Sequence, residues 1–172
     1  MSKMLVVNLD KCTGCRTCEI VCSLVNTGEC NPARSRIHNI KFSEEGLHFT
    51  VVCFQCDKAP CAQICPTGAI TRDEVTGIVR VSGQSCLRCK MCLLACPFGN
   101  ITYSTRENRV VKCELCNGKP ACVEFCVTGA LEFKDLDTSM IPKKRILSEK
   151  LMKGDTSMIP KKRILSEKLM KA

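Results

Sequence analysis

Cysteine is the softest metal ligand and the most readily oxidised side chain in this sequence, and its spacing sets the first question. The stretch CTGCRTCEIVC places Cys12, Cys15, Cys18 and Cys22 within eleven residues. Three more quartets follow: Cys53, Cys56, Cys61 and Cys65; Cys86, Cys89, Cys92 and Cys96; and Cys113, Cys116, Cys122 and Cys126. Of the 17 cysteines in 172 residues, only Cys30 stands outside them. Disulfide cross-linking and metal ligation both use cysteine this densely, but disulfides need an oxidising compartment. The N-terminal MSKMLVVNLDKC has a four-residue apolar stretch, too short for a signal-peptide core, and there is no twin-arginine motif. No run approaches the length of a membrane span. The expectation is a cytoplasmic, metal-binding chain.

The spacing also bears on which metal. Structural zinc sites use ligand pairs parted by a dozen or more residues. Here a third and a fourth cysteine follow almost at once, and His38 and His48 lie outside the quartets. The first and third quartets have the run C-x2-C-x2-C-x3-C, the spacing that binds [4Fe–4S] cubes in bacterial ferredoxins. In that run three cysteines hold one cube and the fourth reaches the neighbouring one. Pro66 and Pro97 match the proline that closes the pattern, whereas Ser23 and Val127 depart from it. Iron–sulfur therefore stands ahead of zinc, and both ahead of disulfides.

The quartets alternate tight, loose, tight, loose. Each loose one has a proline in its widened gap (Pro60, Pro120) and runs into Thr-Gly-Ala-aliphatic at Thr67–Ile70 and Thr128–Leu131. This is a two-quartet unit used twice. Between quartets, residues 69–82 and 98–111 alternate and turn like short β-hairpins, with EVTG and RENR at their tips. Residues 23–52 form a longer connection of turns and short strands. Aromatic content is 4% with no Trp, little material for a conventional core. Small and aliphatic residues between ligands (Ala62, Ile64, Leu93, Leu94, Val123) are expected to shield the metal.

The formal charge is +9, which on its face suggests nucleic acid. Residues 137–172 contribute ten Lys/Arg against four Asp/Glu, and residues 1–136 sixteen against thirteen. A cube with four thiolates carries about −2, so four of them bring the total to about +1. A nucleic-acid partner loses its support except at the tail. No nucleophile–base pair, phosphate loop or dinucleotide fingerprint is present, so no catalytic residue is expected.

The motifs CxxCxxxxCxxxCPTGAI, CLRCKMCLLACPFG and VVKCELCNGKPACVEFCVTGAL resemble the four-cluster ferredoxin-type (polyferredoxin) subunits of the dimethyl-sulfoxide reductase iron–sulfur superfamily. KCTGCRTCEIVCSL followed by NPARSRI is most similar to the small subunit beside tungsten-containing aldehyde oxidoreductases. The resemblance covers residues 5–134. It implies an α+β fold of two ferredoxin-like modules, with short hairpins and helices around four [4Fe–4S] clusters, over residues 1–136. It also implies that the outer quartets (12–22 and 113–126) exchange their last ligands, as do the inner ones (53–65 and 86–96). The sets would be Cys12, Cys15, Cys18 and Cys126; Cys53, Cys56, Cys61 and Cys96; Cys86, Cys89, Cys92 and Cys65; and Cys113, Cys116, Cys122 and Cys22. The function implied is non-catalytic electron transfer between a catalytic subunit, tungsten- or molybdenum-pterin and aldehyde-oxidising, and a flavin subunit or ferredoxin. A hydrogenase, formate dehydrogenase or carbon-monoxide dehydrogenase partner, or a free soluble polyferredoxin, is the alternative.

Some residues fall outside this reading. Cys30 suits a small filler or an idle thiol, and His38 and His48 suit surface or loop positions. Arg16, Arg88, Lys90 and Lys112 flank or enter the quartets, where solvated loop charge and a charge that raises a cluster's potential both fit. Tyr103 suits packing. DTSMIPKKRILSEKLMK occupies 137–153 and recurs identically at 155–171. Each copy has a capping start, then helix-favouring residues, and Gly154 is a natural stop between them. A duplicated basic helical tail over 137–172 could dock on a partner or on another copy of the chain; a recent duplication without function fits equally.

Overall fold

Alternating runs between the quartets fold as hairpins. Strands β1 (Lys3–Val7), β2 (His38–Phe42), β3 (Leu47–Val51), β4 (Ile70–Arg72), β5 (Val79–Val81), β6 (Ile101–Ser104), β7 (Arg109–Lys112) and β8 (Leu131–Asp135) form four two-stranded antiparallel sheets. Three are local: β2 with β3, β4 with β5 and β6 with β7. The fourth joins the two ends of this unit, with Leu5 opposite Phe133 and Val7 opposite Leu131. The computed structural model describes residues 3–42 and 47–135. The repeated tail lies outside the described residues.

Four short helices lead out of the cysteine loops: α1 (Thr17–Thr27), α2 (Pro60–Gln63), α3 (Met91–Ala95) and α4 (Ala121–Glu124). Two of them begin at a proline. Pro60 takes the first turn of α2, where its missing N–H costs nothing. Pro120 precedes α4 in extended conformation. α1 continues well past Cys22, where only turns and strands were expected. It stops at Gly28, whose left-handed backbone (φ 73°) lets its N–H donate to the Leu24 carbonyl.

The helices pair as the quartets do. α1 packs on α4, and α2 on α3. Two apolar cores follow. One gathers Leu5, Ile37, Val52, Leu115 and Leu131 around Cys22 and Cys122. The other gathers Ile70, Val79, Ile101 and Val110 around Cys61 and Cys92. The two Thr-Gly-Ala segments play equivalent parts. Gly68 and Gly129 both turn through left-handed backbone. The buried Ala69 and Ala130 then offer carbonyls to Ser82 N at 2.7 Å and Asn8 N at 2.8 Å, which starts β4 and β8 in register. Among the described residues no helix is long and apolar enough to cross a membrane.

Candidate metal centres

The cysteines face spaces between elements. One cavity is lined by Cys22, Cys113, Cys116 and Cys122. A second is lined by Cys53, Cys56, Cys61 and Cys96, and a third by Cys65, Cys86, Cys89 and Cys92. Each combines three cysteines of one quartet with the last cysteine of another. Cys12, Cys15, Cys18 and Cys126 share no described cavity. Cys18 and Cys126 do pack against one core, and Cys12 and Cys15 lie close enough to push the Cys18 thiol up. Among the described residues no three His, Cys, Asp or Glu side chains converge on a point that would hold a single ion. The sulfurs line volumes, four to a cavity, which suits a polynuclear group.

The loops that present these sulfurs share a backbone device. The residue before the second cysteine is left-handed in all four: Gly14 (φ 69°), Gln55 (φ 47°), Arg88 (φ 61°) and Leu115 (φ 53°). In the two tight quartets the residue after that cysteine is left-handed too, at Arg16 (φ 61°) and Lys90 (φ 62°). In the two tight loops this alternation of hand turns successive N–H groups to one side, making a concavity for an anion, whereas in the last loop Leu115, Cys116 and Asn117 are left-handed in succession. Five of these residues carry side chains, for which left-handed backbone costs about 1–3 kcal/mol each. The surroundings hold them there. Arg72 donates from Nη1 to the Gln55 and Cys56 carbonyls, both at 2.7 Å. Leu115 is fully buried.

Polar groups reach the sulfurs as well. The Arg36 N–H donates to Cys22 Sγ at 3.4 Å and Asn26 Nδ2 at 3.6 Å. Asn39 Nδ2 donates to Cys12 Sγ at 3.7 Å. Three threonines stand two residues after a cysteine with their hydroxyls near its sulfur: Thr17 at 3.4 Å from Cys15, Thr67 at 3.6 Å from Cys65 and Thr128 at 3.8 Å from Cys126. Hydrogen bonds to a ligating sulfur spread its charge and raise the reduction potential of what it holds. We expect Thr67→Val and Thr128→Val each to lower one midpoint potential in a redox titration without loss of iron.

Burial opposes free thiolate at several of these positions. It pushes the Cys18 and Cys113 thiols up to about 12, and it raises Cys56, Cys61, Cys92 and Cys122. Cys15 moves the other way, held down by the Thr17 hydroxyl and N–H. At Cys65 and Cys126 burial pushes upward but is outweighed by hydrogen bonds centred on Thr67 and Thr128. A metal-free fold would keep the stability of its raised thiols below the ordinary value of 9.0 and lose it as pH rises toward 12. Loading has the opposite sign, because metal must displace the thiol protons. Metal retention against a chelator is therefore expected to weaken as pH falls from about 8 to about 6. Retention that did not vary with pH would contradict this.

Family models agree with this donor chemistry. A 4Fe-4S dicluster domain matches residues 45–136, and a 4Fe-4S binding domain matches residues 9–30. The chain belongs to the 4Fe-4S dicluster family. It is 41% identical over 122 residues to the polyferredoxin-like subunit of an aliphatic sulfonate oxidoreductase from Pyrococcus furiosus, covering 71% of this chain and 70% of that protein. It is 36% identical over 157 residues to the electron transport protein HydN of Escherichia coli K12, covering 76% and 87%. An iron–sulfur protein of Rhodospirillum rubrum is 34% identical over 175 residues, covering 87% and 91%. With the family come the [4Fe–4S] cofactor and the electron-transport class.

For this dicluster chain, several side chains differ from their sequence-level expectation. Leu94 is 91% exposed and shields nothing, since it lies on the outer side of α3. Cys30 is exposed, so it is no filler. His38 and His48 sit on paired strands, and His48 packs directly over Gly14 of the first loop. Arg16 is engaged with the buried Glu19, whose Oε1 accepts from the Asn39 N–H at 2.8 Å. Lys90 lies 4.3 Å over the Tyr103 ring. Lys112 is not solvated at all: it is 1% exposed and lines the second cavity.

Proposed function

We propose that this chain is the non-catalytic electron-transfer subunit of an oxidoreductase complex, and that its sixteen quartet cysteines hold four [4Fe–4S] clusters. The observation that carries the proposal is the crossed lining of the three cavities, each drawing three cysteines from one quartet and one from another. Cys12, Cys15, Cys18 and Cys126 would make the fourth set by the same rule. Each cluster, when bound, supplies one reversible electron.

The remaining work belongs to the chain. The set with Cys126 and the set with Cys22 share α1 and α4. The sets ending in Cys65 and Cys96 share α2 and α3. Gln55 links the middle, donating from Nε2 to the Cys113 carbonyl at 2.8 Å. The order is thus a row, with the sets of Cys12 and of Cys86 at its ends. Each end set has one exposed cysteine, Cys15 or Cys89, whereas the two middle sets have none. Electrons would enter and leave at those ends, while burial keeps water from the middle of the row.

By resemblance the catalytic partner is a tungsten- or molybdenum-pterin aldehyde oxidoreductase, with a flavin subunit or ferredoxin as the second partner, all cytoplasmic. The naming of relatives as a polyferredoxin-like oxidoreductase subunit and as an electron transport protein supports a catalytic oxidoreductase partner. The test is anaerobic isolation of the tagged full chain from its native cell. A stoichiometric complex with a tungsten- or molybdenum-containing subunit is expected. A cluster-loaded chain that comes away alone would make it a free carrier.

A further inference from the structure

Lys112 closes β7, with the apolar Val110 on the same face of the strand two residues earlier. It follows Val110 inward and is buried as deeply, at 1% exposure. Its Nζ donates to the Val79 carbonyl at 2.6 Å, the Cys113 carbonyl at 2.8 Å and Gln55 Oε1 at 3.3 Å. Three acceptor oxygens take three N–H donors. That is the donor count of an ammonium.

All three acceptors are uncharged. Among the described residues no carboxylate lies within ion-pair distance of Lys112, whereas Glu19, a comparably buried charge, has Arg16 as its partner. A buried cation without a counter-charge is strongly destabilising. Among the described residues Lys112 is also the one charged residue lining the cavity of Cys53, Cys56, Cys61 and Cys96. The other two cavities differ. One has an Arg36–Glu114 pair at 4.0 Å. The other has Lys90, whose charge is turned onto the Tyr103 ring.

We infer that Lys112 is the buried counter-cation of the cluster held by Cys53, Cys56, Cys61 and Cys96, and that it sets that cluster's reduction potential. The inference rests on the function proposed above. Reduction adds a negative charge to the cavity. A fixed ammonium on the cavity wall favours that charge and raises the potential. Gln55 is the positioning residue, because its Oε1 accepts from both Lys112 Nζ and the Val79 N–H (2.9 Å) and so fixes where the ammonium sits.

The test is a redox titration of the full-length, anaerobically loaded chain, followed by electron paramagnetic resonance. Lys112→Met removes the charge at similar length and is expected to shift one of the four midpoints to lower potential. Lys112→Arg keeps the charge and is expected to leave that midpoint near its wild-type value. Gln55→Glu leaves Lys112 in place but sets a carboxylate against it, and is expected to lower the same midpoint. A role in packing alone predicts the reverse ranking, with Arg disruptive and Glu neutral for the potential. Unchanged midpoints in the Met or the Glu variant, with iron content intact, would overturn the inference. Wild-type chain that holds no cubes would instead defeat the underlying function.

Discussion

Removing iron and sulfide under anaerobic conditions is expected to unfold residues 3–135 as a unit. Helical and strand signals in circular dichroism should collapse together, and reconstitution with iron and sulfide should restore them. The reason is the size of the elements. α2 and α4 have four residues each and α3 has five, whereas isolated helices shorter than about 12–15 residues are marginal in water. Every sheet has two strands, and an isolated two-stranded hairpin is marginal at best. Both apolar cores are built around cysteines that line the cavities. Ligation is thus the main long-range tie between quartets, and its free energy is folding free energy. A chain that kept its native spectrum after complete stripping would contradict this.

Much of that architecture can be read from the residues alone. The alternation in 69–82 and 98–111 gives the hairpins β4–β5 and β6–β7, because local pairing needs only a strand period and a turn. The pairing of β1 with β8 is different. The two strands are nearly the whole unit apart in sequence, and nothing in KMLVV names LEFKD as its partner. The left-handed residues Arg16, Gln55, Arg88, Lys90 and Leu115 carry no signal either. Only Gly14 marks such a position, because glycine alone adopts it without cost. Lys112 is a partial case. Strand period places it on the face of Val110, which is buried, but a lysine at a strand end reads naturally as solvated. Its burial becomes sensible only once an anion is placed in the cavity it lines. The length of α1 is not marked by the cysteine spacing, which ends at Cys22. In the structure Ser23 Oγ is satisfied, donating to the Ile20 carbonyl at 2.8 Å and accepting from the Asn31 N–H at 3.0 Å.

Gly14→Ala is expected to have the largest effect of any single methyl added to the loops. Gly14 is left-handed, at φ 69°. A Cβ there would clash with the His48 imidazole at Nδ1, Cε1 and Cγ. The imidazole packs against the loop from a backbone held on β3 opposite Lys41, so the ring must swing out of this buried site to make room. With the ring in place, either the loop of Cys12, Cys15 and Cys18 opens or β3 moves away. The expected result is loss of one cluster, so that iron falls from about 16 to about 12 per chain. Adding His48→Ala to Gly14→Ala removes the clash but not the left-handed strain, about 1–3 kcal/mol. The double variant should therefore recover iron while remaining less thermally stable than wild type. Full iron content in Gly14→Ala alone would show that the loop does not need this close approach.

Four one-electron cubes held by sixteen sulfurs can be counted directly. Iron, acid-labile sulfide and zinc are determined on anaerobically purified full-length chain, and the same sample is reduced and examined by electron paramagnetic resonance. The prediction is about 16 iron and about 16 sulfide per chain, with interacting paramagnetic centres on reduction. Two or fewer metals per chain, all zinc, or a fully loaded sample that stays silent under a strong reductant, would contradict it.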